Sequence, residues 1–450
     1  MTTSLEALSP IDGRYLRYTT SLRAYFSELA LFRYRVRVEI EYLIALSHAG
    51  LEGLQPFSAE EQEKLRTIYR VFGQEQGEEI KQIEKRTNHD IKAVEYFIKA
   101  RLEELGWADR KEWVHFGLTS QDINNTAIPL SMKEAAEEVI FPAMEELTAE
   151  IKRLALAWEK LPMLARTHGQ AASPTTLGKE FYVFAERLEI QIEQLKKTTW
   201  AAKFGGATGN FNAHHVAYPE TDWLHFATEF VASLGLSRSR TTTQIEHYDH
   251  LAAFCQNTMR IHTILIDLCR DVWMYISMEY FRQRVNPGET GSSAMPHKVN
   301  PIDFENAEGN LGMANAMLDH FAQKLPISRL QRDLTDSTVL RNIGVPFAHS
   351  LISVHSIRRG LDKLLLNEEA IIADLHQHTA VVAEAIQTVL RRVGYPEPYE
   401  ALKGLTRGNA HIDMPAIHAF INQLEVTDEV KAELMRITPE NYTGIIRLEA

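Results

Sequence analysis

The chain has 450 residues, of which 45% are hydrophobic and 24% charged, proportions typical of a globular protein. Its formal net charge of -12 argues against nucleic acid as a partner, because domains that bind nucleic acid are normally basic. No stretch is apolar enough to span a membrane, and the first residues lack the basic and apolar regions of a secretory signal. About 21 Å of helix would separate Cys255 from Cys269, so we expect buried thiols in a cytoplasmic protein.

Long helical runs dominate the sequence and predict a mainly α fold. In chain order they cover residues 22–48, 91–105, 131–160, 179–204, 244–285, 304–324 and 368–392. Ser58 and Glu61 have the capping-box spacing that begins a helix, and Ser173-Pro174 is expected to cap the fourth run. Pro142 predicts a kink within the third run.

The run at 244–285 contains neither glycine nor proline, and apolar residues recur along it every three or four positions. It predicts one helix of about 40 residues, roughly 60 Å long. A helix of that length buries its apolar face only in a bundle, and we expect part of that face to pack against another subunit.

Changes in residue pattern near Gly106 and Leu365 predict three domains. They are an N-terminal mostly helical domain at 1–106, a central long-helix bundle domain with the catalytic loops at 107–364, and a C-terminal helical domain at 365–450.

Six polar segments lie between or beside the helical runs. They are KRTNHD (85–90), HFGLTSQDINN (115–125), ARTHGQAASPTT (165–176), KFGGATGNFNAHH (203–215), GETGSSAMPHKVNPIDFEN (288–306) and SRLQRDLTDSTVLRN (328–342). Any one of them could be an ordinary set of caps and turns, which the same residue types favour. Together, on long helices, they predict pieces of one site that meet in three dimensions.

Several common site motifs are absent from the sequence. The segment GSSAM at 291–295 is not G-x-S-x-G, and no segment matches the P-loop or dinucleotide-binding patterns. The histidine pairs at 214/215, 247/250 and 376/378 lack the spacing of zinc sites. We therefore expect neither a metal ion nor an organic cofactor.

Groups able to transfer protons are present in these segments. His168 lies in a polar loop before a helix, and imidazole titrates near neutral pH. Ser292 and Ser293 lie on a glycine-rich loop able to close over a substrate. A serine acts as a base only where backbone N–H groups and a cation such as Lys298 stabilise the alkoxide. The further cations available to an anionic substrate, among which spacing does not choose, are Arg14, Arg329, Arg332 and Arg341.

The segment GSSAMPHKVNP at 291–301 resembles the signature loop of the fumarase/aspartase superfamily, whose members release fumarate or a similar unsaturated acid from a succinyl-type group. Further segments resemble the branch of that superfamily that acts on succinylated nucleotides of bacterial purine synthesis. They are LSPIDGRY, TNHDIKAVEYF, LTSQDINN, RTHGQ, QRDLTDSTVLRN and the histidine of MPHK. The resemblance extends from about residue 8 to near the C-terminus.

The resemblance implies a three-domain, mainly α fold whose long central helices form, in a homotetramer, a core of about twenty helices. Each active site would combine loops from three subunits, which accounts for the scattering of the polar segments. The implied substrates are adenylosuccinate and succinylaminoimidazolecarboxamide ribotide, from which loss of fumarate leaves AMP or aminoimidazolecarboxamide ribotide. No metal or cofactor is implied, and neither nucleic acid nor a membrane is an expected partner.

The resemblance also implies residue roles. Ser292 would be the general base that removes the succinyl Cβ proton, and His168 the general acid that protonates the departing nitrogen, with Glu305 as an orienting partner. Lys298 and Asn300 would stabilise the carbanionic intermediate. The choice of Ser292 over Ser293 rests on the resemblance alone. The positions that would line the nucleotide and succinyl pockets are Arg14, Tyr15, Asn88, His89, Asp90, Thr119, Ser120, Gln244, Asn306, Arg332, Ser337, Thr338, Val339, Leu340 and Arg341.

Two other functions stay open on the sequence. A sister lyase acting on argininosuccinate, malate or aspartate would share the loop, but fumarases and aspartases carry MPGK where this chain has MPHK. A catalytically silent helical scaffold would have no physical need to keep an acid, a base and a cation together.

Overall fold

The computed structural model describes residues 4–284, 295, 299–406 and 412–448. Helix is the main element in these ranges, which confirms the mainly α prediction. The α-helices are α1 (Leu16–Thr19), α2 (Arg23–Phe26), α3 (Glu28–Ser47), α4 (Ala59–Arg70), α5 (Gln74–Thr87), α6 (Asp90–Glu104), α7 (Ser120–Ala135), α8 (Phe141–Ala157), α9 (Leu177–Lys196), α10 (Asn212–Ala217), α11 (Trp223–Ser233), α12 (Asp249–Ser277), α13 (Ile302–Lys324), α14 (Thr335–Leu340), α15 (Gly344–Lys363), α16 (Glu368–Gln377), α17 (Ala383–Arg392), α18 (Pro398–Thr406), α19 (Met414–Gln423) and α20 (Asp428–Leu434).

Short strands lie between these helices, and the strands pair with one another. The strands are β1 (Pro162–Met163), β2 (Arg166–Thr167), β3 (Gln170–Ala171), β4 (Thr175–Thr176), β5 (Ala201–Ala202), β6 (Ser237–Arg238), β7 (Phe281–Gln283) and β8 (Leu364–Leu366). The pairs β1–β4, β2–β3 and β7–β8 are antiparallel, and β5–β6 is parallel. Each strand has two or three residues, too few to show the alternating pattern by which strands are recognised in a sequence.

The longest predicted helix is shorter than expected. α12 has 29 residues and begins after Tyr248, where φ is 62°. It ends before Glu279, where φ is 61°. A right-handed helix does not continue through a left-handed residue, so the helix is about 44 Å long rather than roughly 60 Å.

Other predicted runs are confirmed in part. α6 and α13 match the runs at 91–105 and 304–324, and the Ser58 capping box begins α4. The predicted start at Ser173-Pro174 is wrong, because β4 intervenes before α9 begins. The same run ends at Lys196, since residues 201–202 pair as β5 with β6. The run at 368–392 is α16 and α17, separated by a 3-10 turn at Thr379–Val382.

The third predicted run is interrupted where Pro142 enters. α7 begins at Ser120, eleven residues earlier than predicted, and a π-helical stretch at Ala136–Ile140 joins it to α8. Pro142 lies just after that stretch and has no N–H to donate to the preceding turn. Single π turns of this kind commonly interrupt α-helices.

The chain divides into two compact units, and unit 1 comprises Met1–Met144, Gln191–Thr263 and Gly309–His355. Its α3 contributes to two apolar clusters. In the first, the ring of Tyr42 packs at 5.3 Å from that of Phe204 and at 5.7 Å from that of Phe230. The second contains the apolar residues of α3 that face α5 and α6. α3 is therefore buried on most of its surface, and any polar side chain on it needs a buried partner.

Unit 2 comprises Glu145–Ile190, Ile264–Glu308 and Ser356–Ala450. Rings of Trp158, Phe181 and Phe281 pack together, with centroids 4.9 to 5.9 Å apart. A separate apolar cluster joins α17, α18, α19 and α20. The division into three domains made from the sequence stays a prediction.

Both cysteines are buried free thiols, as predicted. Burial raises the pKa of Cys255 to about 12. Of the helices that the structure describes, none has the combination of length and apolarity needed to cross a membrane.

Gly178, in the first turn of α9, allows that helix to approach the end of α8. A Cβ at Gly178 would lie 2.2 Å from the Ala155 carbonyl oxygen and 2.5 Å from Glu159 Cα. We expect Gly178→Ala to lower the free energy of unfolding by about 1–3 kcal/mol, because backbone atoms must move. The matched variant is Gly312→Ala, where a Cβ meets nothing within 4 Å. Thermal unfolding of the two variants tests this, and equal melting temperatures would contradict it.

Candidate active site

Asp122, at the third position of α7, is fully buried and collects donors from two polar segments. Its Oδ2 accepts from the Thr119 N–H at 2.8 Å, which closes a capping box at the start of α7. Its Oδ1 accepts from Lys203 Nζ at 2.7 Å and from the Gly205 and Gly206 N–H groups at 2.8 and 3.0 Å. Burial lowers the pKa of Lys203, and the carboxylate of Asp122 opposes that shift.

Glycines give segment 203–209 the backbone shape that the buried pair of Asp122 and Lys203 requires. Gly206 has a φ of 80°, and a Cβ on Gly209 would lie 2.6 Å from Thr242 Oγ1. The Ala207 carbonyl oxygen accepts from Gln244 Nε2 at 3.1 Å. One buried carboxylate therefore fixes the start of α7, with Thr119 and Ser120, and the loop to which Gln244 is bonded.

His214 supports the same region from a buried position. Tyr42 Oη donates to the Phe116 carbonyl oxygen at 2.7 Å and lies 3.0 Å from His214 Nε2. A Cβ on Gly117 would lie 2.7 Å from the imidazole ring, so glycine is needed there. Burial lowers the pKa of His214 from 6.5 to about 4, which leaves the ring neutral at physiological pH.

A second buried network joins α3, α6 and α7. Arg35, 3% exposed, donates from Nε to Asn124 Oδ1 at 2.9 Å and from Nη2 to Asp90 Oδ2 at 2.8 Å. Asp90 Oδ2 also accepts from Arg341 Nη2 at 3.3 Å. Burial alone would raise the pKa of Asp90, but Arg35, the Ile91 N–H and Arg341 together lower it.

The TNHD segment adopts the turn that precedes α6. Asn88 ends α5 with a φ of 50°, and His89 caps α6 by accepting the Lys92 N–H on Nδ1 at 3.2 Å. The side chain of His89 is 53% exposed, so the cap leaves it accessible from solvent.

Segment 328–342 is anchored through Asp336. The Tyr248 hydroxyl donates to Asp336 Oδ2 at 3.1 Å and accepts from Asn125 Nδ2 at 2.6 Å. Asp336 Oδ1 accepts from the Ser337 N–H at 2.7 Å, and Ser337 Oγ accepts from Arg332 Nη2 at 2.8 Å. The predicted pair Arg332 and Ser337 thus meets in space. Burial raises the pKa of Tyr248 well above its usual value, so the hydroxyl stays protonated.

Parts of these networks line one cavity of about 320 Å³ in unit 1. Its polar wall contains Arg35, Gln121, Asn124, Ser337 and Arg341. Residues from two of the predicted polar segments, 115–125 and 328–342, and from the buried helix α3 therefore surround the same space.

In unit 2, His168 lies at the tip of the β2–β3 hairpin. His168 and Gly169 have φ values of 53° and 73°, the two positive angles of a type I′ turn. Arg166 on β2 donates from Nη2 to Asp374 at 2.7 and 2.9 Å, which fixes the base of the hairpin. The imidazole of His168 is exposed beyond that anchor.

The remaining predicted residues of unit 2 are only partly described. Glu305 lies in the first turn of α13, where its Oε1 accepts from Trp273 Nε1 at 3.1 Å. Asn306 Nδ2 donates to Ser356 Oγ at 2.7 Å. Ser292 and Lys298 lie outside the described residues, as does Ser293, so the roles predicted for them stay predictions. Asn300 is described and is half-buried.

The predicted site residues fall into two groups. Unit 1 contains Arg14, Tyr15, Asn88, His89, Asp90, Thr119, Ser120, Gln244, Arg332, Ser337, Thr338, Val339, Leu340 and Arg341, and unit 2 contains His168, Asn300, Glu305 and Asn306. Arg14 is exposed beside Tyr15 at the start of α1. Arg329 is 77% exposed and pairs with Asp333, as expected of a surface arginine.

Sequence reasoning missed the buried groups that hold these residues. Arg35 stands between Arg33 and Arg37 in a run where charged and apolar residues alternate, so nothing in the sequence singles out the arginine that is buried. Asp122 and Lys203 lay inside quoted polar segments, but nothing in the sequence indicates that they pair across 81 positions.

The chain is similar to known proteins along most of its length. The sequence profile of the family described as Lyase matches residues 13–317, and that described as Adenylosuccinate lyase C-terminal matches residues 328–443. A protein of Dictyostelium discoideum named adenylosuccinate lyase is 58% identical over 98% of this chain and 97% of its own. Proteins of the same name from Legionella pneumophila strain Corby and Escherichia coli K12 are 49% and 48% identical over the same shares. This chain belongs to the adenylosuccinate lyase family.

A solved structure supports the fold assignment more widely. The 3-carboxy-cis,cis-muconate lactonizing enzyme from Pseudomonas putida matches with a TM-score of 0.73 over 95% of both chains, at 21% identity. Likeness at that identity concerns the fold alone.

The Asp122–Lys203 pair gives a test of stability. Asp122→Asn leaves the lysine charge buried without its carboxylate, and we expect a loss of about 3 kcal/mol in the free energy of unfolding. Adding Lys203→Met removes the stranded charge, so the double variant should be more stable than Asp122→Asn alone. Urea unfolding measures both, and a double variant with summed losses would show that the charges do not interact.

His214 gives a test of pH dependence. The unfolded chain takes up a proton at this residue near pH 6.5, and the folded chain only near pH 4, so stability should fall as pH falls through that window. His262, whose pKa burial also lowers to about 4, adds to the same trend. In His214→Gln the slope of the unfolding free energy against pH should be smaller, by the contribution of about one proton. The exposed neighbour variant His215→Gln should keep the full slope in urea titrations between pH 7 and pH 4.5; equal slopes in all three proteins would contradict the assignment.

Proposed function

We propose that the protein is an adenylosuccinate lyase that eliminates fumarate from adenylosuccinate, giving AMP. On the same site it would convert succinylaminoimidazolecarboxamide ribotide to aminoimidazolecarboxamide ribotide, in purine biosynthesis. The observation that carries this proposal is membership of the family over nearly the full chain, with both family profiles matched. The argininosuccinate, malate and aspartate alternatives are disfavoured by the same finding.

The proposed acid is His168. Loss of an amine as an anion is unfavourable, so protonation of the departing nitrogen by a positioned acid is worth about 10²–10⁴ in rate. The hairpin anchored by Arg166 and Asp374 supports this role, because it holds the backbone while leaving the imidazole exposed to a substrate. Imidazole can give up and regain a proton near neutral pH.

The proposed base is Ser292, which removes the proton from the succinyl Cβ. That proton is weakly acidic, so the developing carbanion and its carboxylate need nearby positive charge. Lys298 and Asn300 are proposed to supply this stabilisation, and Glu305 to orient the acid. These assignments rest on the signature loop of the sequence. Since the proposed reaction transfers only protons, it requires neither a metal ion nor an organic cofactor.

The polar cavity of unit 1 is proposed to receive the nucleotide. Arg341 and Ser337 on its wall suit phosphate and carboxylate oxygens, because a guanidinium binds such groups through paired donors. Thr119, Ser120 and Gln244, fixed through Asp122, would line the adjoining succinyl or base contacts. The proposed binding residues are otherwise those listed from the sequence as lining the nucleotide and succinyl pockets.

A homotetramer with active sites shared between subunits is part of the proposal. Large apolar side chains remain exposed on the long helices α9, α12 and α13 of this chain. They are Val183, Ile190, Trp273, Met274 and Met313. Apolar surface of this kind on rigid helices supports packing against further copies. A cytoplasmic location is proposed with it, because purine nucleotides are made there.

Fumarate release from adenylosuccinate tests the function and the roles together. The wild-type protein should form fumarate, and Ser292→Ala and His168→Ala should each lower kcat by about 10²–10⁴. Ser293→Ala is the matched control and should keep most of the activity. This comparison decides between the two serines, which the sequence alone does not do.

Other outcomes would overturn the proposal in distinct ways. Turnover of argininosuccinate, malate or aspartate without release from adenylosuccinate would make the protein a sister lyase. If the protein turned over none of these four compounds, it would be a catalytically inactive helical scaffold. Loss of activity in Ser293→Ala with retention in Ser292→Ala would exchange the two serines.

A further inference from the structure

Arg35 stands apart from the residues that the proposed function uses. It is 3% exposed on the buried helix α3, and its buried Nη1 makes no hydrogen bond to any residue that the structure describes. Burial lowers its pKa, which Asp90 opposes. A buried arginine with an unused donor costs stability unless something else satisfies that donor.

The geometry around Arg35 links it to a proposed binding residue. Asn124 and Asp90 hold the guanidinium through Nε and Nη2, so its direction is fixed by two separate helices. Asp90 Oδ1 is already bonded to the Ile91 N–H at 2.9 Å. Its Oδ2 is shared between Arg35 at 2.8 Å and Arg341 at 3.3 Å, and the two arginines compete for one oxygen.

The two contacts differ in strength. The Arg35 bond is shorter and largely buried, with a side-chain exposure of 4%, whereas Arg341 is 49% exposed. A buried charge-assisted bond is stronger than a longer, solvated one. Asp90 is therefore held mainly by Arg35, and its hold on Arg341 is weak. Both arginines line the cavity.

We propose that Arg35 is a positioning residue that occupies Asp90 and so leaves Arg341 available to an anionic group of the substrate. This rests on the proposed function and extends it. Without the charge of Arg35, Arg341 would have the Oδ2 of Asp90 to itself among the arginines that the structure describes there, and an incoming anion would have to displace that ion pair. The anion is either the phosphate or a succinyl carboxylate, both of which suit a guanidinium.

The test compares three variants of one helix. Arg35→Gln removes the charge and keeps a donor, whereas Arg35→Lys keeps the charge and should remain close to wild type. Arg37→Gln is the matched control, because Arg37 pairs with Glu134 at 2.7 Å on the same helix. Fumarate release gives KM and kcat for each, and thermal unfolding checks that each is folded.

We expect Arg35→Gln to raise KM about 10- to 100-fold, the worth of a charge-assisted hydrogen bond, with kcat changed less than about twofold. Binding of AMP, adenosine and fumarate then locates the anion. Weaker AMP binding with unchanged adenosine and fumarate binding identifies the phosphate. Weaker fumarate binding with unchanged AMP binding identifies a carboxylate.

A further variant separates positioning from a merely structural role. In the Asp90→Asn background the competing carboxylate is gone, so adding Arg35→Gln should no longer weaken binding of the affected anion. Further weakening would overturn the proposal, as would wild-type KM and anion binding in Arg35→Gln. If Arg35→Gln does not fold, Arg35→Lys is compared with Arg341→Lys instead. A KM for Arg35→Lys as high as that for Arg341→Lys would then overturn the proposal. Absence of fumarate release by the wild-type protein would refute the proposed function, an outcome distinct from these.

Discussion

The buried pair of Asp122 and Lys203 is the interaction on which the organisation of unit 1 depends. Taking two charges out of water is repaid only when further hydrogen bonds satisfy them, and here the backbone of Thr119, Gly205 and Gly206 supplies those bonds. The donors come from two segments far apart in sequence. The carboxylate therefore fixes the start of α7 against a glycine-rich loop.

The same principle recurs in the other networks of unit 1. Tyr248, itself bonded to Asn125, donates to Asp336, and Arg35 donates to Asp90. Buried polar groups are expensive unless satisfied, so a satisfied network has few alternative arrangements. These buried networks therefore hold the proposed binding surface of unit 1 rigid.

Unit 2 holds the proposed acid, His168, in a different way. His168 stands at a hairpin tip whose type I′ turn favours the right-handed twist of its strands, and the anchor lies at the strand base. The imidazole is thereby presented to solvent from a fixed backbone. The same helical fold occurs in a 3-carboxy-cis,cis-muconate lactonizing enzyme, so specificity has to reside in groups placed on the scaffold, and the proposal assigns part of it to Arg341.

The sequence by itself determined the helical class, α6 and α13, the Ser58 cap and the six polar segments, because these depend on periodicity and spacing within one stretch of chain. Motif resemblance supplied the family and the proposed reacting residues. Only the tertiary structure decided where α12 ends, since left-handed residues at Tyr248 and Glu279 are set by their surroundings. It also decided that Arg35, Asp122 and Lys203 hold the site. Those residues act through partners 55 to 89 positions away, and local sequence carries no record of such distant pairs.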